Sequence, residues 1–260
     1  MNITKFKTLL QVFLLVCVGS VLCSCQINDE LSEQSKQQEK SPQQLLKEQT
    51  IDDSHDAFLV DTGGKLGILL ITVEVVGKRE DDPGRQKTIF SVWNPKKMEQ
   101  PIQTFIKKTM MGVAPEHHNV ADANFDGFQD FGYLIDRGNQ PNYWHYWLWN
   151  EKQTKFIYCE SLRDISDPQF KIEKKVVTGW NRDSASSGVH TFYRWIDGEL
   201  TLLRKIEIHG PTKEGMQIGT VSDLTDGQMI EVYRNEWVWN GETFELDSKW
   251  YDLDYHGESE

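Results

Sequence analysis

The residues best suited to chemistry are gathered in one stretch, Asp122-Ala-Asn124-Phe-Asp126-Gly127-Phe-Gln-Asp130. Side-chain oxygens stand at its first, third, fifth and ninth positions, with glycine at the sixth. That spacing suits a loop wrapped round a hard cation, because alternate residues point inward, Gly127 takes the left-handed turn and the Phe128 carbonyl adds another oxygen. Three carboxylates and one amide give a cage of formal charge −3, and without a cation those like charges repel. The expected ligands are Asp122, Asn124, Asp126, Phe128 and Asp130. The expected ion is Ca2+ rather than Mg2+, because the donors are many, flexible and all oxygen; extracellular sites of this kind have dissociation constants of order 10⁻⁴–10⁻³ M. Phe125, Phe128 and Phe131 interleave with the donors and are expected beneath them, tying the metal to the core. The alternative is an Asp/Asn/Gly-rich turn without metal.

Other candidates carry less. Asp223-Leu-Thr-Asp226-Gly227 repeats part of the pattern with too few oxygens and reads as a plain turn. His117 and His118 are adjacent, and neighbours on a strand face opposite ways, so they are read as an exposed loop pair rather than ligands to one ion. Tyr143–Trp149 (Tyr-Trp-His-Tyr-Trp-Leu-Trp) suits stacking on sugar rings, or a central strand buried on both faces. Cys159, in Phe156-Ile-Tyr-Cys159, reads as a buried, inert thiol. There is no Gly-x-Ser-x-Gly, His-Glu-x-x-His, Cys-His pairing motif or phosphate-cradling glycine loop. The chain is therefore not expected to be an enzyme, although a glycosidase needs only two carboxylates at a set separation.

The elements that must hold the loop are strands. Both of its flanks, Asn119–Ala121 and Phe131–Ile135, are strand-like, and Tyr133 occupies the place where an EF-hand puts a bidentate glutamate. Leu66–Val76 is rich in β-branched residues, Glu80–Gly84 turns it, and Thr88–Trp93 returns. No window shows a helical period from residue 51 onward, so residues 51–260 are expected to be all-β and antiparallel. Trp93-Asn94, Trp149-Asn150, Trp195-Ile-Asp197-Gly198 and Trp239-Asn240-Gly241 each read as a turn after a Trp-bearing strand. Their separations of 56, 46 and 44 residues approach the length of a four-stranded blade. They predict a propeller-like array of hairpin units, or alternatively a β-sandwich.

Residues 1–24 read as an export signal, with Lys5 and Lys7 before an apolar run from Leu9 to Leu22. The run is shorter than the ~20 residues a membrane-spanning helix needs. It ends Leu22-Cys23-Ser24-Cys25, which resembles the lipobox of bacterial lipoproteins, with Cys25 as the acylated residue. Cys17 and Cys23 lack the small residue required before them. The alternative is ordinary signal cleavage with a free Cys25. Residues 26–50, rich in Gln, Glu, Lys and Ser, read as a solvated tether reaching roughly 25–30 Å on average. Ser41-Pro42 is placed to start a short helix. No Asp follows Cys25, which by analogy with lipoprotein sorting favours the outer membrane, facing the periplasm.

Composition agrees with this picture. Of 260 residues, 40 are acidic and 28 basic, a formal charge of −12, which argues against gripping nucleic-acid phosphates. Removing residues 1–24, with two lysines and no acid, takes the charge to −14. It also removes Cys17 and Cys23; lipidation uses Cys25, and Cys159 is left without a disulfide partner.

The loop from Val120 to Asp130 resembles the calcium loops between strands of FG-GAP-type β repeats. Taken in order with Tyr143–Asn150, Leu162–Pro168 and Ser187-Gly188-Val-His190-Thr-Phe-Tyr193-Arg-Trp195, it is similar to a family of exported calcium-binding β proteins. That family includes a periplasmic lysozyme inhibitor serving as immunity protein to a peptidoglycan hydrolase of type IV secretion. The resemblance spans roughly residues 118–208. It implies a calcium-stabilised, membrane-tethered inhibitor of a lysozyme-like hydrolase, with Ser186, Ser187, Gly188 and His190, in the segment Asp183–His190, as the cleft-entering loop. A short polar loop can offer hydroxyls to catalytic carboxylates. The segment departs from the inhibitors' Ser-Gly-x-x-Tyr, since its tyrosine arrives at Tyr193, and a simple hairpin connection is the alternative. The acidic charge would speed encounter with a cationic hydrolase. Two other functions stay open: a calcium-stabilised carbohydrate- or protein-binding surface lipoprotein using Tyr143–Trp149, and a carboxylate-dependent cell-wall hydrolase.

Overall fold

Runs such as Ile68-Leu-Leu-Ile-Thr-Val-Glu-Val-Val76 hold too many β-branched side chains for a helix and pair instead as strands. The computed structural model describes residues 40–49, 52, 54–76, 86–109, 114–137, 142–238 and 248–254. The chain divides into two units, Met1–Ser41 and Pro42–Glu260, and the second carries all the secondary structure among the described residues. The signal segment, Cys25, the Glu80–Gly84 turn and the Trp239 motif lie outside the described residues.

Three antiparallel sheets form, each a meander in which every strand pairs with its neighbour in sequence. The first comprises β1 (His55–Asp61), β2 (Ile68–Val76), β3 (Gln86–Trp93) and β4 (Gln103–Thr109). The second comprises β5 (His118–Ala121), β6 (Asp130–Arg137), β7 (Asn142–Asn150) and β8 (Lys155–Cys159). The third runs from β9 (Gln169–Lys171) through β10 (Val176–Arg182), β11 (Gly188–Ile196), β12 (Glu199–His209) and β13 (Met216–Thr225) to β14 (Gln228–Val238).

Period-two alternation decides how the sheets stack. On β7, Trp147 and Trp149 pack with Phe58, Ile71 and Phe90 of the first sheet. Tyr146, Trp144 and Leu148, on the opposite face, pack with Val177, Tyr193 and Trp195 of the third. The second sheet is thus the filling of a three-layer stack, buried on both faces, which is why Tyr143–Trp149 is almost wholly apolar. The outer face of the first sheet is covered by a helix, α1 (Pro42–Lys47), whose Leu45 is buried with Ala57 and Leu70. The helix begins at Pro42, as Ser41-Pro42 suggests, so packed structure reaches back to Pro42 rather than starting at residue 51.

The all-β, antiparallel expectation holds, and the arrangement is sandwich-like. No sheet closes into a barrel, and the four equal units of a propeller do not appear among the described residues. The first three Trp motifs do end the third strand of their sheets, and Asp197-Gly198 turns with φ of 51° and 84°, the geometry of a tight hairpin. Beyond it, however, β12, β13 and β14 extend the third sheet instead of opening a fourth. Asp226-Gly227, with φ of 51° and 79°, is the plain turn expected there.

The extension is secured by a buried cation. Arg204 on β12 is 1% exposed and forms a bidentate pair with Asp223 on β13, at 2.6 and 2.7 Å. It also donates to the carbonyls of Trp250 and Asp252, pinning a 3-10 turn, Ser248–Tyr251, over the outer face of the third sheet with Trp250 buried. Removing the carboxylate strands a buried guanidinium. Asp223→Ala is expected to cost about 3–5 kcal/mol, read as a fall in the urea midpoint, whereas Asp226→Ala at the exposed turn is expected to change stability by less than about 1 kcal/mol.

Candidate functional site

The loop Asp122–Gln129 joins β5 to β6, whose ladder closes at Ala121 opposite Asp130. Asp122 Oδ1 accepts the Asp126 N–H at 3.0 Å, and its Oδ2 accepts that of Gly127 at 2.9 Å. Asn124 Oδ1 also accepts from Asp126 N, at 3.2 Å, while its Nδ2 donates to Asp126 Oδ2 at 2.9 Å. Asp126 Oδ1 accepts the Phe128 N–H at 3.0 Å. Gly127 takes φ of 93° and Phe125 takes 61°, so the backbone turns twice through the left-handed region.

Asp130 behaves differently. It is fully buried, with Oδ2 accepting the Ala123 N–H at 2.8 Å and Oδ1 accepting the Trp149 N–H at 2.7 Å. Burial pushes its pKa up to about 7 against those two hydrogen bonds, and the nearby Asp126 and Asp122 charges push the same way. Asp122, Asn124 and Asp126 therefore sit together on the loop, while Asp130 turns inward beneath it. Among the described residues no three or more His, Cys, Asp or Glu side chains form a group able to hold a metal ion. The side-chain oxygens of Asp122, Asn124 and Asp126 are all engaged by the loop's own N–H groups and by the Asn124 amide, and a hard cation would have to compete with those donors for them. The mutual repulsion felt by Asp130 is what a cation at the loop would relieve.

The loop also ties the three layers together. Asp61 at the end of β1 exchanges two hydrogen bonds with Gln129, N–H to Oε1 at 2.8 Å and carbonyl from N–H at 3.2 Å. Trp195 Nε1 on β11 donates to the Ala123 carbonyl at 2.9 Å. Phe128 packs into the core between the first and second sheets and Phe125 into that between the second and third. The expectation that the phenylalanines lie beneath the donors holds, with the detail that they enter different cores.

The hairpin Asp183–Ser187 joins β10 to β11 and is tightly closed. Asp183 and Ser184 N–H both donate to the Ser187 carbonyl, the Ser184 and Ser187 hydroxyls meet at 2.7 Å, and Arg182 donates to the carbonyls of Ser184 and Ala185. Gln217, 2% exposed, donates through Nε2 to the Ser186 carbonyl at 2.7 Å and accepts from Trp237 Nε1 at 3.1 Å. Ser184 and Ala185 stay exposed at the tip. Gly188 and His190 do not join the serines at that tip. Gly188 is buried where a Cβ would lie 2.3 Å from the Trp180 ring. His190 stacks on Trp180 with ring centroids 4.0 Å apart and shares a 3.2 Å contact between Nε2 and the Tyr251 hydroxyl. Both support the hairpin instead of presenting it.

The other candidates settle as follows. His117 is buried, and His118 pairs Nδ1 with Asp56 Oδ2 at 2.9 Å and stacks on Phe58, which corrects their reading as an exposed pair. His117 ends a 3-10 turn, Pro115–His117, with its ring against Tyr133, and His118 follows as the first residue of β5. Cys159 is free and buried, as expected. Tyr146, Trp147 and Trp149 are buried, while Tyr143 at the start of β7 is exposed and Trp144 half-buried. Arg204 and Gln217 escaped sequence reasoning because their partners are distant in sequence and no local pattern announces them.

No family model matches the chain, and no curated protein matches it. Among solved structures it is similar in fold to a Xanthomonas type IV secretion system related protein, with a TM-score of 0.50 and 17% identity over 68% of this chain and 93% of that one.

Two outcomes are expected at the site. Asp130→Ala orphans two buried N–H groups and is expected to lower stability by about 2–4 kcal/mol, measured by urea unfolding. Burial lowers the pKa of both His190 and His145 to about 4. Their stabilisation is complete above the ordinary histidine value and is lost as pH falls from 6.5 toward 4, of order 1 kcal/mol each after discounting for partial exposure. Asp130, raised, acts in the opposite sense, favouring the fold as pH falls from about 7 toward 4. In EDTA, the acid-side loss of unfolding free energy is therefore expected to be steeper in Asp130→Asn than in the unaltered chain.

Proposed function

We propose that the chain is an exported, lipid-anchored protein that inhibits a lysozyme-like peptidoglycan hydrolase, in an immunity role, with one Ca2+ as its cofactor. It is anchored through Cys25 to the outer membrane and faces the periplasm. The observation that carries this reading is the Asp183–Ser187 hairpin: a polar connection whose tip, Ser184 and Ala185, is exposed while its backbone is held by Arg182 and Gln217. A loop ordered in advance loses little entropy on entering a cleft, and its hydroxyls can meet catalytic carboxylates as donors. The fold likeness to a protein described as type IV secretion system related is in keeping with this role. Ca2+ would be held by Asp122, Asn124, Asp126 and the Phe128 carbonyl over the buried Asp130, stiffening the tie between the layers. The chain has no catalytic role in this reading.

The test is wall lysis by a panel of lysozyme-type hydrolases, with and without the protein. Inhibition is expected, and Ala185→Trp at the exposed tip is expected to weaken it at least tenfold with an unchanged melting temperature. EDTA is expected to lower the melting temperature of the unaltered protein but not of Asp126→Ala. If no hydrolase of the panel is inhibited, the inhibitor reading fails; if EDTA leaves the melting temperature unmoved, the calcium reading fails on its own.

A further inference from the structure

Among the described residues, the outer face of the third sheet is only partly covered by the C-terminal turn, and beside that turn lies a groove of about 820 Å³. Its floor comes from outward-facing residues of β10 and β11, with Val176 and Phe192 buried and Thr178 half-buried between them. One side is the end of β9 and the turn to β10, carrying Lys171 and Lys174, with Arg194 of β11 adding a third cation; Glu173 is the one acid lining it there. The opposite side is the C-terminal segment, carrying Asp252 and Asp254. Each side is fixed independently of any ligand. The β9–β10 turn closes through Lys175 N–H to the Ile172 carbonyl at 3.2 Å. The C-terminal side hangs on the buried Arg204, through the Trp250 and Asp252 carbonyls, and on the Tyr251 hydroxyl against His190.

We propose that this groove is a binding site for a short zwitterionic oligopeptide. The ligand places one large apolar side chain on Val176 and Phe192, its carboxylate toward Lys171, Lys174 and Arg194, and its ammonium toward Asp252 and Asp254. The volume falls within the range of small-ligand sites, which combine an apolar lining with a few placed polar groups. The separation of opposite charges across the groove selects the class. A neutral sugar gains nothing from cations on one side and carboxylates on the other, whereas a peptide with free ends matches both, and like-charged ligands are repelled by one side. Sides fixed in advance reduce the ordering cost of binding. Nothing in this proposal depends on the calcium loop or on hydrolase inhibition.

The probe is the tripeptide Ala-Phe-Ala with free termini, titrated into the whole protein by calorimetry and followed in parallel by tryptophan fluorescence, since Trp180 stacks on the groove's His190. Saturable binding is expected, weakened at least tenfold by acetylating and amidating the peptide ends. Thr178→Trp, which fills the floor, is expected to abolish it, and Asp254→Lys, at an exposed position, to weaken it at least fivefold, both without a fall in melting temperature. Should Thr178→Trp unfold the protein, Asp254→Lys and the blocked peptide still decide the matter. The proposal is overturned if the free peptide does not bind at millimolar concentration, if the blocked peptide binds equally well, or if chito-oligosaccharide binds in its place.

Discussion

A single carboxylate, buried where the loop Asp122–Gln129 returns to the sheet, fixes that loop to the second sheet, and the loop in turn bonds to the other two. Asp130 accepts one N–H from the loop and one from β7, so the loop cannot shift without exposing a backbone donor in the core. Around this point the loop reaches outward to β1 through Gln129 and to β11 through the Ala123 carbonyl. A buried carboxylate is costly unless hydrogen-bonded, and here both its oxygens are engaged by backbone. Burial nevertheless holds its pKa above the ordinary carboxylate range, and the neighbouring Asp126 and Asp122 charges add to that shift.

The third sheet works by a different economy. Its inner face is held by packing against the second sheet, but its outer face depends on one buried guanidinium to bind strand, neighbour and C-terminal turn together. Among the described residues that turn covers only part of the face, so the same device that closes the core also forms one side of the groove. The hairpin between β10 and β11 and the groove thus share a platform: the Trp180–His190–Tyr251 contacts run between them.

Much of this was legible in the sequence where chemistry is local. Alternation and β-branching marked the strands, the Asp-Gly pairs at 197–198 and 226–227 marked turns, and the spacing from Asp122 to Asp130 marked the loop. The aromatic strand Tyr143–Trp149 allowed two readings, and its burial on both faces followed only once there were sheets on either side of it. The number of units was not legible: the first three Trp motifs do close third strands, but a turn says nothing about whether the next strand extends a sheet or begins another. That choice is made by Arg204 and Asp223, 19 residues apart, whose pairing exists only after β12 and β13 lie side by side. Likewise the inward turn of Asp130 is set by Trp149 N–H, a backbone donor that has no residue-type signature.

The meander topology has a consequence for how such a chain can be made. Every strand pairs with the one just before or after it, so each sheet closes short loops and the slow search for distant partners is largely avoided. A chain appearing end first from a channel could complete its first sheet before the residues of the third are in reach. Assembly would then reduce to laying finished sheets upon one another, with no disulfide to await, since Cys159 has none to form within the described fold.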